Sequence, residues 1–327
     1  MTSLDLTTDA ARRPFPGRRP RLGDLLLQGI AGLAALAALV LVGLIVWKVI
    51  EGARLSFSTF GLPFVWHNAW NPVIGHEDFG ARSLLYGTAV TSFGALLLAT
   101  PIALGIALFL TELAPRWIRG PVTALVETLA AIPSVVIGLW GLLVLAPILR
   151  AHVDPALHSA LGFIPLFGPA GSYGSNIFTA IIVLTIMILP IIASISRELF
   201  LAVPVELKEG ALGLGTTRWE TIRGVVLPYS RGGVVAAMVL GFGRAIGEAI
   251  AVALVIGSVP AISANFFNPG YTLASILANN YQGASSGLEL SSFLYLALIL
   301  LVFSILVNLL AQFIVRRAGR RLGTLGL

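Results

Sequence analysis

Glu209-Gly210-Ala211-Leu212-Gly213-Leu214-Gly215, followed ten residues on by Val225-Val226-Leu227-Pro228, is a polar, glycine-jointed stretch between apolar runs that end near Ser196 and begin near Gly232. Its surroundings decide how it is read. The 327-residue chain is 57% hydrophobic and 11% charged, with mean hydropathy +0.93. A soluble domain carries about 25% charged residues, so too few charges are present to cover a water-exposed surface. Six stretches, about 25–47, 84–110, 121–148, 176–195, 232–259 and 290–315, are apolar over the roughly 20 residues a bilayer core demands. Lipid offers no water to unpaired backbone groups, so these spans are helices. The fold class is an all-α integral membrane protein with six transmembrane helices. The absence of cysteine excludes disulfide and thiolate chemistry.

The chain divides into an Arg- and Pro-rich tail over 1–23, expected to be disordered, a first transmembrane helix over 24–50, an external loop over 51–83, a five-helix core over 84–316 and a short tail over 317–327. No small-residue cleavage site follows the first helix, which reads as retained. Cationic residues fall mainly on one side. Arg12, Arg13, Arg18, Arg19, Arg21, Arg116, Arg119, Arg197, Lys208, Arg218, Arg223, Arg231, Arg316, Arg317, Arg320 and Arg321 share it, against Lys48, Arg54, Arg82 and Arg150. Both termini and the loop over 196–231 are therefore expected in the cytoplasm. The net charge of +6 is a topology signal, and nucleic acid is not implied as a partner.

The expected external loops, 51–83, 150–175 and 260–289, carry all four histidines, His67, His76, His152 and His158. His76, Glu77 and Asp78 are adjacent, without the spacing of metal ligands, and read as a solvated loop. Pro133 and Ser134 interrupt the third apolar run. They fit either a packing kink or irregular backbone lining a pathway.

The loop over 200–228 reads as a docking element. Pro204 can start a helix with Glu206 in its first turn. Leu207, Ala211 and Leu214 follow at helical spacing and predict an apolar face, and Gly213 and Gly215 can end the helix. Thr217-Arg218-Trp219-Glu220 reads as a capping box opening a second helix, and Leu227-Pro228 leads back towards the membrane. A helix–turn–helix with apolar residues away from lipid marks a partner site, and acidic Glu206, Glu209 and Glu220 disfavour an anionic membrane surface.

These residues resemble the signature of ABC importer permeases: Glu-Ala-Ala, three residues, Gly, nine residues, Ile, one residue, Leu-Pro. Glu209, Ala211, Gly215, Leu227 and Pro228 match, while Gly210 stands for Ala and Val225 for Ile. Ala131-Ile132-Pro133-Ser134-Val135-Val136-Ile137-Gly138-Leu139-Trp140-Gly141 and Gly243-Arg244-Ala245-Ile246-Gly247-Glu248 are similar to the phosphate-specific branch of that family, over about 24–316. The resemblance implies a MetI-like ABC importer permease fold whose coupling helix docks on an ATPase through Glu206, Glu209, Gly210, Ala211, Leu214, Gly215 and Trp219. It also implies a second permease of the same fold, two ATPase copies, an external phosphate-binding protein and phosphate as cargo. ATP and Mg would be held by the ATPase, since Gly-x-x-x-x-Gly-Lys-Ser/Thr is absent here.

Arg244 and Glu248, four apart, are predicted to share one face of the fifth helix. A charge at that depth costs about 2.5–3.5 kcal/mol to insert. One reading is a structural ion pair. The other is a substrate pathway in which the guanidinium fork meets phosphate oxygens and Glu248 limits the affinity. Glu112 and Glu127 are expected to pair with Arg116, Arg119 or helix N-termini. A permease for molybdate or sulfate is the alternative cargo reading. An ion-coupled secondary transporter would carry inverted repeats and more intramembrane carboxylates, and a membrane enzyme would need a motif such as His-Glu-x-x-His, which the chain lacks.

Overall fold

The computed structural model describes residues 22–169, 171 and 174–320, so the tail expectations over 1–21 and 321–327 lie outside the described residues. The chain divides into one unit up to Lys48 and another from Val49 onward. Six helical stretches are long and apolar enough to cross a membrane: Leu26–Phe60, Arg82–Leu113, Ser134–Leu161, Ile177–Leu201, Arg218–Gly247 and Gly287–Phe313.

Helix α1 (Leu22–Phe60) supplies the described part of the first unit and continues into the second. It runs ten residues beyond the expected boundary at 50 and stops before Gly61, whose φ of 59° only glycine adopts freely. The apolar run ends near 47, but charged side chains such as Arg54 do not by themselves break a helix. The loop is therefore confined to 61–81, where strands β1 (Trp70–Asn71) and β2 (Asp78–Phe79) form a small antiparallel hairpin. His67 Nε2 lies 2.9 Å from Asp78 Oδ2, and the Ser286 hydroxyl donates to Glu77, so the acidic residues of the loop serve its own packing.

Helix α2 (Arg82–Leu108) is followed by α3 (Arg116–Ala131), which was expected to belong partly to the third span. Instead Ile132 and Pro133 are extended, with ψ of 129° and 138°, and the span begins at Ser134. The proline ring disfavours a helical residue before it. Of the two expected forms, kink or irregular backbone, the chain adopts irregular backbone, which separates α3 from the third span. The third span comprises α4 (Ser134–Trp140), α5 (Ala146–Ile148) and α6 (Asp154–Leu161), so 150–161 is helix rather than loop.

Four five-residue π-turns widen the spans: Phe109–Leu113, Gly141–Leu145, Leu149–Val153 and Ile222–Val226. Each ends two residues before a proline, namely Pro115, Pro147, Pro155 and Pro228. A proline has no N–H and its ring strikes the carbonyl four residues back. Shifting the ladder to i→i+5 just before the ring relieves both problems, and the helix axis continues.

Helix α7 (Ile177–Leu201) is the most buried span. Beyond it come α8 (Val205–Gly213), α9 (Arg218–Thr221) and α10 (Leu227–Gly247). The fifth span was expected at 232–259, yet it opens at Arg218 and stops at Gly247. Short α11 (Ile250–Val255) follows the stop. The stretch expected as a plain external loop over 260–289 folds back as α12 (Leu273–Asn280), with Leu273 and Ile276 fully buried. Helix α13 (Gly287–Arg320) closes the described chain.

The start of α12 is held by α2. Thr88 Oγ1 donates to Leu84 O at 2.8 Å and accepts from the Leu273 amide at 2.9 Å, all within the buried core. Leu273 is the first residue of its helix, so its amide has no intrahelical partner. Thr88→Val keeps the shape and orphans that amide, at a cost of about 1–3 kcal/mol. A lower thermal midpoint of the variant in detergent, against wild type, is the expected result.

Candidate functional site

The docking loop starts where α7 ends. Pro204 precedes α8 with an extended backbone, ψ 133°, and Glu206 sits in the first turn. Helix α8 ends in a Schellman arrangement. The Gly215 amide donates to Leu212 O at 2.9 Å and the Thr216 amide to Ala211 O at 3.3 Å, with Gly215 at φ +86°. The expected capping box is present: Thr217 Oγ1 accepts from the Glu220 amide at 3.3 Å, and Glu220 Oε2 accepts from the Thr217 amide at 2.7 Å.

Two expectations change here. Leu207, Ala211 and Leu214 do not make one apolar face, because Ala211 is half-buried and Leu214 lies beyond the helix, 88% exposed. The surface offered outward instead alternates charge and hydrocarbon: Glu206, Leu207, Glu209, Gly210, Leu212 and Leu214 are exposed, joined by Trp219 across the turn. The second helix is also not a separate element returning to the membrane. Helix α9, its π-turn and α10 form the single span Arg218–Gly247, so Leu227-Pro228 lies inside that span. A buried cluster of Ala107, Phe200, Val203, Val226 and Val234 supports the loop from below.

Lys208 is the inward-facing cation of α8. Its Nζ donates to Glu112 Oε1 at 2.6 Å and to Phe200 O at 3.3 Å. Glu112 was expected to pair with Arg116 or Arg119, but the Arg119 Nε donates to Ala114 O at 2.8 Å within its own turn. Glu127 lines a cavity with Arg197 and Glu198 on α7. The Lys208–Glu112 pair joins residues 96 apart, and neither local spacing nor composition announces it.

At the far end of α10 the helix stops just before Glu248 rather than running on through it. The helix ends at Gly247, and Glu248 is extended, with ψ 118°. Glu248 Oε1 accepts from the Ala251 amide at 3.4 Å and so belongs to the start of α11. Arg244 is exposed while its neighbours Ala245 and Ile246 are buried. Among the described residues no ion pair joins Arg244 to Glu248.

The break is held by the third span. A Cβ on Gly138 would stand 2.7 Å from the Ala251 Cα, so only glycine lets α4 approach α11 this closely. Pro133 and Ser134 open α4 and thereby set its position against α11. The signature Gly138-Leu139-Trp140-Gly141 is thus a packing element. Its proximity to the Glu248 break could not be read from spacing along the chain.

Six apolar spans, one of them broken after an exposed arginine, and a capped hydrophilic loop between two of them define a multi-pass membrane transport subunit. Residues 99–320 match the family described as "Binding-protein-dependent transport system inner membrane component", and the chain belongs to that family. It is 42% identical over 303 residues to "Phosphate transport system permease protein PstC" of Pasteurella multocida, covering 92% of this chain and 94% of that protein. The protein of the same name from Mesorhizobium japonicum is 43% identical over 311 residues, covering 94% of each. In fold the chain is similar to a bacterial alginate ABC transporter, with TM-score 0.59 and 17% identity over 90% of this chain and 96% of that one. It is also similar to the MetNI methionine ABC transporter, with TM-score 0.52 and 20% identity over 71% and 93%. The MetI-like importer permease fold follows.

Gly215→Val would force a branched side chain into the left-handed region, costing about 1–2 kcal/mol. Amide exchange over 212–217 is then expected to accelerate by roughly 5–30-fold, read by hydrogen-exchange mass spectrometry.

Proposed function

We propose that this chain is the permease subunit of an ATP-driven phosphate importer and forms half of the pathway for inorganic phosphate. The similarity to PstC proteins along nine-tenths of the chain carries this reading. The other half would be a second permease similar to PstA. Two copies of an ATPase, which hold ATP and Mg, would seat against α8, and an external phosphate-binding protein would deliver the anion. The chain itself hydrolyses nothing. Both termini and α8 lie in the cytoplasm of a bacterial inner membrane, in keeping with the positive charge on Arg197, Lys208, Arg218 and Arg223 around the loop.

Arg244 supplies the pathway cation. Its guanidinium is exposed at the end of a broken membrane helix, without a carboxylate partner among the described residues. A helix break within a span is where transporters commonly gather substrate contacts, and the arginine fork matches phosphate oxygens in pairs. Glu248, on the other side of the break, keeps the local field from holding the anion too firmly, since a pathway must also release its cargo.

Arg244→Gln removes a charge-assisted contact worth about 1.5–3 kcal/mol. Uptake of radiolabelled phosphate by cells is expected to fall about 10–100-fold while the ATPase still co-purifies. Uptake at wild-type level would refute the role. Competition by sulfate or molybdate at equal concentration, where phosphate should win, separates the cargo readings. Glu209→Lys places a like charge on the docking surface and is expected to deplete the ATPase from the purified complex, measured by its stoichiometry on a gel.

A further inference from the structure

We infer that the Lys208–Glu112 ion pair is a transmission link, distinct from the docking surface, that makes the inner end of α2 follow α8 when the ATPase moves it. The inference rests on the proposed function, because it presumes an ATPase seated on α8.

The geometry singles out these two residues. Along α8 the side chains of Glu206, Leu207 and Glu209 are exposed, where a partner would sit. Lys208 alone carries charge inward, with its side chain 19% exposed against 20% for Glu112. Glu112 lies in the π-turn Phe109–Leu113 that ends the second span. The contact therefore runs from the middle of the docking helix to the tip of another span at 2.6 Å. The same ammonium reaches Phe200 O at 3.3 Å, at the end of α7. One cation thus fastens α8 to the ends of two spans, α2 and α7, which pack against each other along the core.

Hydrocarbon contacts alone would serve differently. Leu212, on the next turn of α8, lines a cavity together with Glu112, Arg119, Lys208, Arg218 and Ile222. A cavity therefore separates this face of α8 from the end of the second span, beside the apolar cluster that supports the loop. A docking helix over an open space can slide without dragging the spans. A short, half-sheltered ion pair across that space resists sliding, since moving α8 by even a few ångströms would leave two charges poorly solvated. The widened turn holding Glu112 is a place where a helix tip can shift without breaking its hydrogen-bond ladder.

The link predicts uncoupling rather than loss of assembly. The complete transporter, with second permease, ATPase and binding protein, would be reconstituted in liposomes. Inorganic phosphate imported per ATP hydrolysed is the readout. Lys208→Ala and Glu112→Gln are each expected to lower that ratio about fivefold or more, the lower end of typical coupling energies. The ATPase should remain bound and hydrolysis should continue. Lys208→Arg should keep the ratio, and the exchange Glu112→Lys with Lys208→Glu should restore most of it. A wild-type ratio in the single variants, an ATPase lost from the complex, or an exchange that restores nothing would each overturn the link. If a single variant does not fold, recovery or failure in the exchange decides. A wild-type complex that imports no phosphate would instead refute the reading of the function itself.

Discussion

The close approach of α2 to α7 is the constraint on which the remaining structure depends. Inside lipid no water is released when two apolar helices meet, so association relies on tight van der Waals contact between small residues. Helix α2 provides it through Gly87, Thr91, Ala95, Ala99, Ala103 and Ala107, spaced every four residues and buried. Residues four apart share one helix face. Across the contact Thr185 Oγ1 donates to Ala95 O at 3.5 Å, and the branched Ile181, Leu184, Ile188 and Ile192 of α7 fill the seam. Both ends of this stripe reach other elements. A Cβ on Gly87 would meet the Tyr271 carbonyl, so the segment entering α12 lies directly on the helix. Ala107 belongs to the cluster with Phe200, Val203 and Val226 that carries the docking loop. A displacement of α2 would therefore reach both ends of the protein.

Against that rigid pair, the broken elements are local and each has a covering partner. Backbone groups freed at a break cannot stay unpaired in lipid. After the break at Gly247, Glu248 turns its carboxylate back to an amide of α11, and α4 closes over α11 through Gly138. After the break at Ile132, α4 restarts with the Val136 amide donating to Pro133 O at 3.0 Å. The prolines preceded by π-turns show the milder solution, in which the ladder widens and no break is needed.

Much of this was legible in the sequence because it was local or compositional. Six spans follow from hydropathy, and the Gly215 turn and the Thr217–Glu220 box follow from residues within four positions. What failed was governed by something other than local character. Hydropathy alone ends the first span near 50 and starts the fifth near 232, yet the helical spans run on to Phe60 and open at Arg218. At Pro133 a kink and irregular backbone both fitted the sequence, and strain on a helical residue before the proline selects irregular backbone. The Arg244–Glu248 face was drawn from ideal periodicity, which ends at Gly247. The small-residue stripe of α2 was present in the sequence at a fixed spacing of four, yet it passes unnoticed when residues are scored only as apolar. Lys208–Glu112 and Gly138–Ala251 are tertiary facts, and no spacing rule reaches them.

The broken helix changes how the intramembrane charges should be understood. Had Arg244 and Glu248 stacked on one helical face, each would have neutralised the other, and the pair would have been a packing device with little field left over. With the helix ending between them, one Glu248 oxygen accepts from the start of α11, and Arg244 is exposed. A cation in that position is costly unless an anion or a facing surface meets it. Within this chain the described carboxylates do not. The break therefore leaves the guanidinium uncompensated among the described residues.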